Sequence, residues 1–154
     1  MATRRPLVLI SGIPQRLPDG DSISGAALFL SGTNNAASAV SAGQPVYVDA
    51  ADGFDLAQAD AIGTSRVVGL VADATVNSAA EGNLQYGGVL EQADWTAATG
   101  GAVLTPGSRY YLSATTPGQI TNTAPDSAGY FVTGVGIAMS TTKLLIEIGT
   151  PIGA

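Results

Sequence analysis

Residues 39–50 read A-V-S-A-G-Q-P-V-Y-V-D-A and residues 103–114 read V-L-T-P-G-S-R-Y-Y-L-S-A, and this pair of stretches decides the fold. In each, a glycine (Gly43, Gly107) opens a short β-rich run and a tyrosine follows four residues later (Tyr47, Tyr111). A glycine turn comes next, Asp52-Gly53 in the first stretch and Pro117-Gly118 in the second. A V-G-aliphatic run then closes each unit, Val68-Gly69-Leu70-Val71 and Val135-Gly136-Ile137-Ala138. Asp-Gly between β-formers is a hairpin signal because its backbone accepts the positive φ of a tight reversal. A repeated β unit, each copy covering the apolar face of the other, accounts for the echo without any chemistry. The units are expected over about residues 39–76 and 103–148.

Working outward, further short runs are bounded by Gly, Pro, Asp or Ser. They are 44–49, 54–57, 66–72, 84–91 (broken by Gly87-Gly88), 108–114, 119–122, 130–138 and 143–148. Short strands at this spacing predict an all-β fold, a small β-sandwich or barrel of short antiparallel strands. Helix is limited to one turn near Glu91 to Trp95 and a second short candidate at Leu28-Phe29.

The first 22 residues are of another kind. Pro6, Pro14 and Pro18 exclude a helix and favour an extended N-terminal arm with at most one short strand, at Leu7 to Ser11, ahead of a β-domain over 23–154. Apolar residues combined with arginines suit a segment that orders on a partner. The expected partner-binding residues are Arg4, Arg5, Leu7, Val8, Leu9, Ile10, Ile13, Arg16 and Leu17. The arginines would pair with acidic groups, while Leu7 to Ile10 would add a strand to an exposed sheet edge.

Composition narrows the function. The 154 residues suffice for one domain, or for two lobes sharing a core, without a disulfide or metal, and there is no cysteine. Hydrophobic residues make up 45% and charged ones only 12%, half the usual quarter, so much of the surface is expected to face protein. A net charge of −6 with no basic cluster beyond Arg4-Arg5 argues against nucleic acid as a partner. The absence of any run of 18 apolar residues argues against a membrane span and for synthesis in a cytoplasm.

The usual catalytic groups are missing. With no histidine and no cysteine, the Ser-His-Asp and Cys-His arrangements and the common zinc ligand sets cannot be built. Asp49, Asp52 and Asp55 cluster at the first hairpin but lack the full calcium-loop pattern and its distal glutamate. An enzyme would need a cleft assembled from distant carboxylates such as Asp73, Glu91 and Asp94. Trp95, the sole tryptophan, is expected to be a buried plug or interface anchor rather than a sugar platform. No catalytic residue, cofactor or metal is therefore expected.

The segments G-V-L-E-Q-A-D-W-T (88–96), L-T-P-G-S-R-Y-Y-L-S (104–113), T-P-G-Q-I-T (116–121) and V-G-I-A-M-S-T-T-K-L-L-I-E-I (135–148) resemble the small β-modules of tailed-phage capsid decoration (cement) proteins, head fibres and tail fibres. The opening R-R-P-L-V-L-I-S-G-I-P-Q-R-L-P-D-G-D (4–21) is similar to the start of such virion proteins. The resemblance implies a non-catalytic bacteriophage structural protein. It implies a homotrimer on the outer capsid surface of the virion, bound to the major capsid protein and stabilising its lattice. The alternative within the same likeness is a fibre or tail module that recognises a host surface.

Overall fold

The computed structural model describes residues 27–49 and 53–154, together with the strand backbones of 7–10 and 13–16. The strands in chain order are β1 (Leu7–Ile10), β2 (Ile13–Arg16), β3 (Leu28–Asn34), β4 (Val40–Ser41), β5 (Pro45–Val48), β6 (Gly53–Leu56), β7 (Val67–Val71), β8 (Thr75–Val76) and β9 (Glu81–Glu91). After one helical turn, α1 (Thr96–Thr99), come β10 (Arg109–Leu112), β11 (Ile120–Thr121), β12 (Phe131–Val132), β13 (Gly134–Ala138), β14 (Lys143–Ile146) and β15 (Ile152–Gly153).

Nine of these strands form one sheet in the order β11-β10-β13-β14-β9-β3-β6-β5-β7, and β7 returns to pair with β9. The run β9-β3-β6-β5-β7 thus closes on itself as a small five-stranded barrel, and β14, β13, β10 and β11 extend from β9 as an open flank. The pairings are antiparallel except for β3 with β6, which run parallel through Thr33↔Gly53 and Asn34↔Phe54. The all-β barrel expectation holds, with that one parallel pair as the departure from an antiparallel set.

The eleven-residue β9 serves both halves. Its first part pairs with β3 and β7, and Gly88 to Glu91 pair with β14. Between these parts lies Gly87-Gly88, where Gly88 takes φ +82, a conformation that a side chain would strain. The Gln85 side chain, 3% exposed, donates from Nε2 to the Gly87 carbonyl at 3.0 Å and fastens the bend.

The two echoing stretches adopt the same pattern. β5 lies between β6 and β7, and β10 lies between β11 and β13. The register shifts at the same place in each, between Val46 and Tyr47 against β7 and between Tyr110 and Tyr111 against β13. The glycine of each V-G-aliphatic run sits opposite the residue before that shift, Val46↔Gly69 and Tyr110↔Gly136. Both glycines also press on the next strand. A Cβ on Gly69 would lie 3.1 Å from the Gln85 carbonyl oxygen, and one on Gly136 would collide with the carbonyl oxygen of Leu145.

Side-chain alternation splits the interior into two cores. Val46, Phe54, Val71 and Leu84 fill the barrel with Val40 and Val76. On the outside of β7, Leu70 and Val67 meet Ala57, Ala59 and the inner face of the open flank, Leu112, Ile120, Val135 and Leu144. Trp95 and Leu104 complete this second core, and the Trp95 Nε1–H donates to the Thr142 carbonyl at 3.2 Å. Trp95 has no exposed surface, which makes it the plug rather than an interface anchor.

Two sequence expectations need correction, and a third is located. Leu28-Phe29 belong to strand β3, not to a helical turn. The helical turn expected to start near Glu91 to Trp95 follows Trp95, at Thr96–Thr99. The Asp94 carboxylate accepts from the Thr96 N–H (2.8 Å) and Thr96 hydroxyl (2.6 Å) at its start. In the arm, where at most one strand was expected, two form and pair with each other.

Candidate functional site

The expected partner-binding residues divide between described and undescribed positions. Leu7, Val8, Leu9 and Ile10 make β1, opposite Arg16, Gln15, Pro14 and Ile13 of β2. Arg4, Arg5 and Leu17 lie outside the described residues. The β1-β2 pair is a sheet of two strands that joins no other described strand.

The arm leads into β3, and here the barrel has an apolar edge. Leu28 is 46% exposed, Phe29 55% and Leu30 37%, three large apolar side chains in succession. Tyr86, at the register shift of β9 opposite Leu28 and Phe29, adds a fourth at 41%. On one side β3 is paired with β9 from Leu28 to Thr33, but on the other it meets β6 only at Thr33 and Asn34. Among the described residues, Leu28 to Gly32 therefore have no strand neighbour on the β6 side. The strands part there around a cleft of about 190 Å³ lined by Leu30, Ser31, Gly32, Val48, Gly53, Phe54 and Leu84.

Such an edge presents backbone donors and acceptors beside apolar side chains, the arrangement that accepts an added strand. Fully burying a side chain of this size contributes roughly 1.5–3 kcal/mol, and since these are already partly covered, a partner that buries the rest gains about half of that from each. Sequence reasoning missed it. The signal was present as L-F-L at residues 28–30, but without polar alternation those residues do not declare a strand.

The carboxylates considered for chemistry are tied into the fold. Asp49 accepts from the Asn35 amide at 2.8 and 3.0 Å, and Asp55 accepts from the Leu56 N–H. Asp52 lies outside the described residues. Asp73 takes the Asn83 N–H at 2.7 Å, Glu91 pairs with Lys143 at 3.5 Å, and Asp94 accepts from the Thr96 N–H at 2.8 Å. Two hydrogen bonds from Thr96 hold the Asp94 carboxyl below the usual carboxylate range. Tyr47 is pushed above the ordinary tyrosine value, first by burial and then by the charges of Asp55, Asp49 and Asp60. No three histidine, cysteine or acidic side chains converge to hold a metal among the described residues.

A second cleft, of about 360 Å³, opens beside β11. Its wall is hydroxyl- and amide-rich, with Thr99, Ser113, Thr115, Gln119 and Asn122. Nothing in it combines a nucleophile with a base. No helix of the described residues is long and apolar enough to cross a membrane. No protein-family model matches the chain, and no curated protein matches it by sequence.

Proposed function

We propose that this chain is a structural subunit of a tailed-phage particle, a capsid decoration protein that assembles as a homotrimer on the outer face of the major capsid lattice. The observation that carries the reading is the apolar, half-paired strand β3, in a chain that also carries an apolar, arginine-bearing arm. Monomeric soluble domains blunt such edges with charge, proline or a covering loop, whereas a chain made to assemble keeps them. The low charge content and the resemblance of residues 88–148 to phage β-modules support the same reading.

The action is binding alone. A subunit that contacts only the assembled lattice stabilises it by its differential affinity for that state, with no catalytic step. The arm is a contact element, with Arg4, Arg5 and Arg16 meeting acidic groups on the shell or on a neighbouring subunit and Leu7 to Ile10 supplying strand hydrogen bonds to an exposed edge. The second reading, a fibre or tail module that recognises a host surface, draws on the polar cleft beside β11.

Purified chain added to undecorated, expanded capsid shells tests the proposal. Saturable binding that raises the temperature of shell disruption is expected, and a chain lacking residues 1–17 should bind at least tenfold more weakly. Unchanged saturation by the truncated chain would remove the arm from attachment. Failure of the intact chain to bind shells, with binding to host cells instead, would favour the fibre reading.

A further inference from the structure

Two structural deficits in this chain match each other. Among the described residues, the β1-β2 hairpin is a sheet of two strands with no third, and an isolated two-stranded hairpin is at best marginally stable in water. Among the described residues, strand β3 has the opposite lack, an open edge from Leu28 to Gly32 with Leu28, Phe29 and Leu30 exposed along it. We infer that the open edge of β3 seats the hairpin of a second copy of this chain, with β1 adding as a strand beside Leu28 to Gly32.

Charge complementarity fits a copy of the chain itself as the occupant. Arg4, Arg5 and Arg16 are three of the six basic residues of the chain, and none of the twelve acidic residues falls within the first sixteen positions. The remainder of the chain is correspondingly acidic, so a basic arm is attracted to any copy of the body. Near the edge, Glu81 lies opposite Thr33, and Asp49 follows Val48 of the cleft wall.

Sequence also selects the strand that inserts. Pro14 interrupts β2 and lacks an N–H, whereas β1 is Leu-Val-Leu-Ile with every donor intact. Residues 17–27 separate β2 from β3 and can span at most about 40 Å, enough to reach a neighbour packed alongside. An arm from one copy on the edge of the next is a head-to-tail contact, which closes into a ring when the rotation permits. The inference rests on the self-assembly part of the proposed function and names the seat of that assembly.

The chain has no cysteine, which allows a direct test. Full-length Leu9→Cys carrying a size tag is mixed with untagged Ser31→Cys under mild oxidation, with Leu9→Cys plus Met139→Cys as the distant control. Ser31 and Met139 are both exposed, so neither substitution threatens the fold. The expected result is a tagged–untagged disulfide dimer in the first mixture and not in the control. The charged variant Phe29→Lys, folded by circular dichroism, should lower its yield at least tenfold.

Equal cross-linking in the control, or none in either mixture at concentrations where the chain is oligomeric, would overturn the inference. A closed loop within single chains of the double variant Leu9→Cys/Ser31→Cys, with no link between chains, would overturn it as well. Because the measurement is made without capsids, cross-linking with no shell binding leaves this inference standing and defeats the decoration reading. Shell binding with no cross-linking does the reverse.

Discussion

The barrel and the open flank start from the same three-strand pattern and solve the problem of unpaired edges differently. In the barrel, β5 with its neighbours β6 and β7 is closed by β9 and β3, leaving the apolar edge of β3 unpaired among the described residues. In the flank, β10 with β11 and β13 does not close. Its inner face is sealed by Trp95 and Leu104, and it ends on β11, a strand of two residues beside a polar cleft. A short polar edge discourages pairing and a long apolar one invites it. One unit thus finishes in a surface suited to solvent and the other in a surface suited to a partner.

The largest expected effects concern how each half is filled. Trp95→Ala in the flank and Phe54→Ala in the barrel should each cost about 3–5 kcal/mol, read as the shift in denaturant midpoint multiplied by the slope. Both residues are essentially inaccessible, at 0% and 1% exposed. If the halves were independent folding units, each variant would melt in two stages. A single transition is expected, because β9 and Leu70 on β7 belong to both.

The equivalent glycines sharpen the comparison. Gly136→Ala drives a Cβ into the Leu145 carbonyl and should cost about 3 kcal/mol, while Gly69→Ala, with 3.1 Å to the Gln85 oxygen, should cost about 1 kcal/mol. Equal costs would mean that the flank yields as readily as the barrel.

Charging the two edges separates assembly from folding. Phe29→Lys should weaken self-association by tenfold or more, about 1.4 kcal/mol, while leaving stability within about 0.5 kcal/mol. Asn122→Lys, just beyond β11, should change neither quantity. Equilibrium sedimentation measures the association.

The smallest effects are pH-dependent. The Asp94 pKa is lowered in the fold, so its contribution is present above the unfolded value near 3.9 and lost as pH falls through the folded one. Asp94→Asn should therefore lower the denaturant midpoint at neutral pH, and the difference should vanish in acid. The Tyr47 pKa is raised, so its contribution is full below about 10 and is lost as pH rises through the folded value. Tyr47→Phe should flatten that alkaline decline.

Much of the fold was legible because the strands around Tyr47 and Tyr111 carry their own punctuation in glycine turns and β-branched runs. The lone tryptophan was legible as a plug or an interface anchor, and its full burial makes it the plug. Barrel closure was not, since it depends on β9 bending at Gly87-Gly88 to serve two neighbours, and a Gly-Gly pair reads equally as an interruption. Strand β3 was hidden for a related reason. Its Leu-Phe-Leu run lacks the alternation of a half-buried strand because part of it overhangs the barrel. β15 follows Pro151, and its two residues carry no pattern. In the arm, a proline that reads as a strand breaker sits within β2 opposite Leu9, in a hairpin with no interior strand.

The most direct test is the number of copies of this chain relative to the major capsid protein in purified particles, by quantitative mass spectrometry. A trimer seated throughout the lattice gives a ratio near one. A ratio on the order of one in a hundred would contradict decoration and assign the chain to a fibre or tail, and absence from the particles would contradict a virion role altogether.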